Sequence, residues 1–279
     1  MKPSMHLLKL IVFIASIESY AATIIFDFDG VLAESNRRTV LWEVLRAAGP
    51  AHLVGAYNPF SIERAFIKFL DAIVKRDPET PLAFYNNKPL PQLMCDWMCG
   101  TKTTKEIREI IENELNENSK YGSQKALFKA ISKVLFTPSI FVRGIVPIKS
   151  GIKLFKKCAA IVDEEGTRVH KLYILSNWDP ESFKLLAELE PFEEIFSLCD
   201  GIVISGDVHM MKPDTHIFEY FFNEYELNPH KELTIFIDDQ RINIAAAREL
   251  NKRQLHAFQC ENGKFGSIKK ELKKLGILA

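Results

Sequence analysis

The stretch Thr23-Ile24-Ile25-Phe26-Asp27-Phe28-Asp29-Gly30 decides the fold. It is a short apolar run, β-branched and aromatic, that stops at two aspartates and a glycine. A run of this length without alternating polar positions reads as a strand buried on both faces, as in parallel sheets. Two carboxylates at the end of a buried strand repel each other unless positive charge sits beside them. The same eight residues therefore suggest a sheet and a site at its carboxyl end.

Downstream the pattern is helical for about a hundred residues, with apolar positions at helix spacing. Val40 to Ala48 form one such run, closed by Gly49-Pro50. Ile62 to Val74 form another, with Ser61 as the expected N-cap. Thr103 and Glu106 make a capping box ahead of Ile107 to Leu115. Ala126 to Leu135 close before Pro138, and Asn86 to Pro91 is a turn-rich break. From Gly144 the texture changes to alternating helix and strand. Strands are expected at Lys171–Leu175, Gly201–Ile204, Leu233–Ile237 and Gln254–Phe258. Helices are expected at Ile152–Val162, from Asp179-Pro180 to Leu189, from Pro213 to Tyr225, and at Ile242–Leu250, with a last one in the Lys-rich tail. This alternation predicts an α/β fold: a parallel, Rossmann-like sheet flanked by helices. The all-helical segment 35–143 is most simply a cap inserted after the first strand, leaving 22–34 and 144–279 as the core.

The bulk composition narrows the class. The chain has 279 residues, with Lys+Arg and Asp+Glu both 36. A net charge of zero argues against a nucleic-acid partner. Among the five cysteines there is no CxxC and no zinc spacing, so Cys95 and Cys99 read as buried thiols. Residues 1–21 carry Lys2 and Lys9, an apolar run from Leu10 to Ile17, and small residues at Ser19 and Ala21. That is the pattern of a secretory signal peptide, which predicts a secreted or periplasmic protein with no stable membrane insertion after cleavage. An uncleaved anchor, or an extra helix of a cytoplasmic protein, are the rival readings.

Four polar signals fall at four expected strand ends, where open α/β sheets bind ligands. They are Asp27-Phe28-Asp29-Gly30-Val31, Ser176-Asn177, Lys212-Pro213 and Asp238-Asp239. Alone, each has a bland reading: Ser176 as a helix cap, Lys212 as a solvated lysine, the aspartates as turn residues. Trp178 reads as packing under the cap, and His209 and His216 as loop and helix-face residues. Order, spacing and placement together are specific.

The four segments resemble the four motifs of the haloacid dehalogenase superfamily, most closely its cap-bearing, phosphatase-like members. The similarity covers Thr23 to Glu34 and Gly144 to Phe258. It includes the run from Phe236 through Asp238-Asp239-Gln240-Arg241 to Ala247. The resemblance implies a Mg²⁺-dependent phosphomonoester hydrolase acting on a small phosphorylated substrate. Asp27 is then the nucleophile and Asp29 the acid and base. Ser176, Asn177 and Lys212 hold the phosphoryl group. The metal ligands implied are Asp27, the Asp29 carbonyl and Asp239, supported by Asp238, with Asn243 a helper nearby.

The residue chemistry agrees: a carboxylate needs no base to become a nucleophile, and hard oxygen ligands suit Mg²⁺. A phosphomutase and a non-catalytic phosphate-binding protein are the alternatives on this fold. An acid at position 29 argues against carbon–halogen cleavage, because the dehalogenases of the superfamily carry no acid there and need no metal.

Overall fold

A computed structural model describes residues 21–49, 59–85 and 88–278. Residues 1–20 of the predicted signal peptide lie outside the described residues. Among the described residues no helix is long and apolar enough to cross a membrane.

The chain opens with β1 (Thr23–Phe26) and β2 (Ala33–Ser35). An insert follows: α1 (Arg37–Ala48), α2 (Pro59–Ile73), the short pair β3 (Phe84–Tyr85) and β4 (Lys88–Pro89), α3 (Gln92–Met98), α4 (Thr104–Glu117), α5 (Lys125–Leu135) and α6 (Pro138–Phe141). β5 (Ile145–Pro147) then pairs antiparallel with β2, Glu34 opposite Val146, so the two strands leading into and out of the insert lie side by side. The remaining chain runs α7 (Lys149–Ala159), β6 (Lys171–Ser176), α8 (Pro180–Ala187), α9 (Glu190–Ser197), β7 (Gly201–Ile204), α10 (Ser205–Val208), α11 (Thr215–Glu224), β8 (Thr234–Asp238), α12 (Arg241–Glu249), β9 (Leu255–Gln259) and α13 (Gly266–Lys274).

The five-stranded sheet has the order β7-β6-β1-β8-β9, and every pairing in it is parallel. β1 lies at its centre, as its unbroken apolar run requires. Alternate residues feed opposite faces. Ile24, Phe26, Leu172, Ile174, Ile235 and Ile237 join one core. Ile25, Tyr173, Leu175 and Phe236 join the other, against α11 and α12. The insert has a third core of its own, built on Phe66, Phe69, Leu70, Ile107, Ile111 and Phe128.

Several expected boundaries move. Ser61 falls inside α2, which already starts at Pro59. The helix opened by Asp179-Pro180 stops at Ala187, and a second one starts at Glu190, with Pro191 in its first turn where a proline fits. α11 starts at Thr215 rather than Pro213, because Asp214 accepts the His216 N–H and so caps it. The Thr103–Glu106 capping box is present. Within the expected break at 86–91, the described residues include β4, which pairs with β3 just ahead of it. All five cysteines are free thiols. Trp178 is buried and packs between Phe28 of the core and Phe141 of the insert.

Candidate active site

Asp27, Asp29, Ser176, Lys212, Asp238 and Asp239 meet at the carboxyl ends of β1, β6 and β8. The site straddles the central strand, where the chain has built the sheet out in both directions.

Asp27 follows β1 directly. Its Oδ1 accepts from the Phe28 N–H at 2.7 Å and from Lys212 Nζ at 3.0 Å. Both bonds land on one oxygen, which leaves the other out of this pair of contacts. The Phe28 N–H thus turns back onto the carboxylate of the preceding residue. Burial pushes the Asp27 pKa well above the usual carboxylate range; Lys212 opposes this, while Asp238 and Asp239 add to it.

Lys212 has no exposed surface. Its ammonium donates to Leu175 O at 2.8 Å and to Asp238 Oδ2 at 2.7 Å, besides Asp27. An ammonium has three N–H groups, and three oxygens from three strand ends receive them. Burial alone would lower its pKa, but the charges of Asp238 and Asp27 overcome this and leave it raised. The lysine therefore stays charged.

Asp238, also fully buried, is committed to the protein. Its Oδ1 accepts from the Gln240 N–H and both oxygens accept from Asn243 Nδ2, at 2.7 to 3.1 Å. Asp239 is half-buried and held by Gln240 Nε2 on Oδ2 at 2.6 Å. Its main-chain carbonyl takes Gln259 Nε2 at 3.0 Å. Asp27, Asp238 and Asp239 can each offer an oxygen within 4.8 Å of the others.

Asp29 is deep in the molecule yet open to water, the position of a group in a crevice. Desolvation by the surrounding protein raises its pKa to about 6. Asp239 is raised to about 7, first by desolvation and then by the charges of Asp238 and Asp29. Gly30 makes this crowding possible. Its φ is +73°, which an L side chain resists, and a Cβ there would sit 2.4 Å from Asp239 Cγ.

Ser176 ends β6. Its hydroxyl weakly favours the Asp27 carboxylate, but it is fully buried and makes no full hydrogen bond. A buried hydroxyl without a partner costs free energy unless something else satisfies it. Oxygen ligands, an excess of carboxylates over ammonium groups and an orphaned donor together fit a hard divalent cation and a phosphoryl group.

Asn177 directs both ends of its amide to the backbone of Lys212. This differs from the direct substrate contact expected of it. The Leu175 carbonyl and Gln259 have no sequence signal; a carbonyl leaves no trace in residue type, and Gln259 reaches the site only because β9 pairs with β8, Gln259 opposite Asp238. The insert reaches the same region. Ser205 Oγ donates to Met98 O at 2.5 Å, and His209 Nδ1 lies 2.9 Å from Cys99 O. His216 is exposed and pairs with Asp214. An open groove of about 680 Å³ lies away from these residues, between α7 and α9. Its Lys156 pairs with Glu194, as expected of a solvated surface.

The model of the haloacid dehalogenase-like hydrolase family matches residues 21–251. The chain belongs to this family. Solved structures of similar fold include a predicted hydrolase of this family from Porphyromonas gingivalis, at 20% identity and TM-score 0.56, covering 91% of this chain and 98% of that one. Another is a family enzyme from Bacteroides thetaiotaomicron in complex with magnesium and inorganic phosphate, at 15% identity and TM-score 0.53, covering 89% and 98%. A dehalogenase is also similar, at 13% identity and TM-score 0.51, covering 93% and 98%. These likenesses describe the fold of this haloacid dehalogenase-like hydrolase; its reaction has to be argued from its own residues.

Proposed function

We propose that this hydrolase is a Mg²⁺-dependent phosphatase that passes a phosphoryl group to Asp27 and then to water. The observation that carries the reading is the charge balance. Asp27, Asp29, Asp238 and Asp239 act on one another around the single ammonium of Lys212, beside the unpartnered Ser176 hydroxyl. Such a cluster is incomplete without a cation and an oxyanion.

Asp27 and Asp239 would hold the metal, with Asp238 orienting the pair; the Asp29 carbonyl completes the expected set. Bound there, Mg²⁺ neutralises the carboxylates and the phosphoryl oxygens. An oxygen of Asp27 attacks phosphorus as the ester oxygen leaves with the proton of Asp29. Asp29, now a carboxylate, takes a proton from the water that attacks the same phosphorus. That step releases orthophosphate and restores Asp27. A carboxyl with a pKa near 6 suits both halves. Lys212 opposes the upward push of burial on Asp27, a bound cation would add to that, and the Ser176 hydroxyl donates to a phosphoryl oxygen.

The insert acts as a cap over this site, tied to the core where Met98 and Cys99 meet Ser205 and His209, which favours a small phosphorylated metabolite over a folded phosphoprotein. Removal of residues 1–21 would place the enzyme outside the cytoplasm, and secreted material would then begin at or near Ala22.

The deciding assay is p-nitrophenyl phosphate hydrolysis by the purified protein, with Mg²⁺ and with EDTA, beside Asp27→Asn. The expected result is metal-dependent release of nitrophenol that the substitution abolishes. Turnover that survives either EDTA or Asp27→Asn would sink the proposal.

A further inference from the structure

Lys212 presents a positioning problem. Its side chain is a flexible four-carbon stem that must deliver one ammonium to three oxygens at once. Its backbone lies between α10 and α11, outside any helix or strand. Something has to fix that backbone if the ammonium is to be aimed.

We infer that Asn177 is that positioning residue, and that it acts on the reaction through Lys212 rather than by touching substrate. The inference rests on the phosphatase reading above. Asn177 Nδ2 donates to Lys212 O at 2.7 Å, and Asn177 Oδ1 accepts from the Lys212 N–H at 2.9 Å. One side-chain amide thus clamps both main-chain polar groups of a single residue 35 positions away. The amide has one working orientation: turned over, its NH₂ would face an N–H and its oxygen a carbonyl.

The clamp shares its anchor with the ammonium. Asn177 directly follows β6, and Leu175, the carbonyl that receives Nζ, lies within β6. Both ends of Lys212 are therefore referenced to the same strand end, and in that pose the ammonium reaches Asp27 and Asp238. His209 and Met211 add support upstream. His209 is held by Cys99 O, and Met211 is fully buried with Cys95, Cys99 and Ala83 of the insert. Neither of these contacts grips Lys212 itself.

A double-mutant cycle separates positioning from substrate contact. Asn177→Ala is made in the native chain and in Lys212→Met, with Lys212→Gln in reserve should the methionine variant not fold. Kinetics on p-nitrophenyl phosphate with Mg²⁺ are read beside calorimetric binding of orthophosphate. Loss of a residue that orients a directly acting group typically costs about 10- to 100-fold. That loss is expected in kcat/KM for Asn177→Ala in the native chain, and orthophosphate binding should weaken alongside it. In the Lys212→Met background both losses should shrink to less than about threefold, because nothing remains to be positioned.

Equal losses in the two backgrounds would overturn the inference, and so would native-like kinetics for Asn177→Ala. Full activity in Lys212→Met would overturn it differently, by removing Lys212 from the proposed mechanism. Melting temperatures of all variants control for folding. Asn177→Ser replaces Asn177→Ala in the cycle if the alanine variant does not fold.

Discussion

Two buried aspartates, Asp96 in the insert and Asp27 in the core, show how differently the two regions treat charge. Asp96 is 2% exposed, and each of its carboxylate oxygens has a partner. Gln92 Nε2 donates to Oδ1 at 2.6 Å, and Lys102 Nζ sits 3.1 Å from Oδ2. Its backbone carbonyl takes the Thr101 N–H. One carboxylate faces one ammonium, and the account closes within the insert. Asp27 is 5% exposed and equally embedded, but it shares a single lysine with Asp238 and stands among two further carboxylates. A balanced buried cluster serves the fold. An unbalanced one is held by the rest of the fold for a partner that brings the missing charge.

The largest expected contrast between the two is in activity. Asp27→Asn should lower kcat/KM by more than about 10⁴-fold if Asp27 is the nucleophile proposed above. Asp96→Asn should leave it within about threefold, since ordinary substitutions away from the chemistry act on stability instead. A similar collapse in both would erase the distinction. Asp29→Asn should cost about 10²- to 10⁴-fold, the range for a general acid and base. In the proposed mechanism the first step uses the proton on Asp29, so kcat/KM should fall as pH rises through about 6. The asparagine variant should lose that limb, and an unchanged pH profile would remove Asp29 from the role.

Stability should move in opposite directions in the two regions. Asp96→Asn removes the charge that faces the partly exposed Lys102 ammonium and disturbs the buried Gln92 contact, and should destabilise the protein by about 0.5–1.5 kcal/mol. Asp239→Asn should instead raise the melting temperature of the metal-free protein at pH 8. The sign follows from linkage. The Asp29 and Asp239 carboxyls are raised to about 6 and about 7, so the folded state binds protons that the unfolded state has released. Stability of the metal-free protein should therefore decline as pH climbs from the ordinary carboxylate range to about 7. Mg²⁺ should raise the melting temperature more at pH 8 than at pH 5.5, and Asp239→Asn should cancel that gain. A Mg²⁺ response of the same size in Asp239→Asn would move the metal away from this residue.

The same two regions differ in how openly the sequence carries them. The core strands are legible because parallel strands are continuous apolar runs, and the site residues directly follow them: Asp27 after Phe26, Ser176 at the end of β6, Asp238-Asp239 at the end of β8. Lys212 is legible by its place in that order, but its complete burial is not, since a lysine before a proline carries no sign of it. The clamp by Asn177 is invisible for a related reason: it joins two residues through backbone atoms that every residue type shares. In the insert, amphipathic spacing gives the helices and the Thr103–Glu106 box gives the start of α4. The pairing of β2 with β5 is not legible, because strands of three residues are too short to show a period.

The smallest effect tests the seam between the regions. Glu181, in the first turn of α8, accepts from Thr104 Oγ1 at 2.6 Å and from the Thr104 N–H at 3.1 Å. A core carboxylate thus sits at the N-terminus of insert helix α4, where the helix dipole favours negative charge. Glu181→Gln keeps the shape and removes the charge, so it should cost only about 0.3–1 kcal/mol. Because this contact ties the insert to the core without touching the reacting groups, kcat should stay within about twofold while KM rises modestly. A fall in kcat comparable to that of Asp29→Asn would show that the seam is part of the chemistry. The separation between a self-sufficient insert and a charge-hungry core would then fail at the contact that joins them.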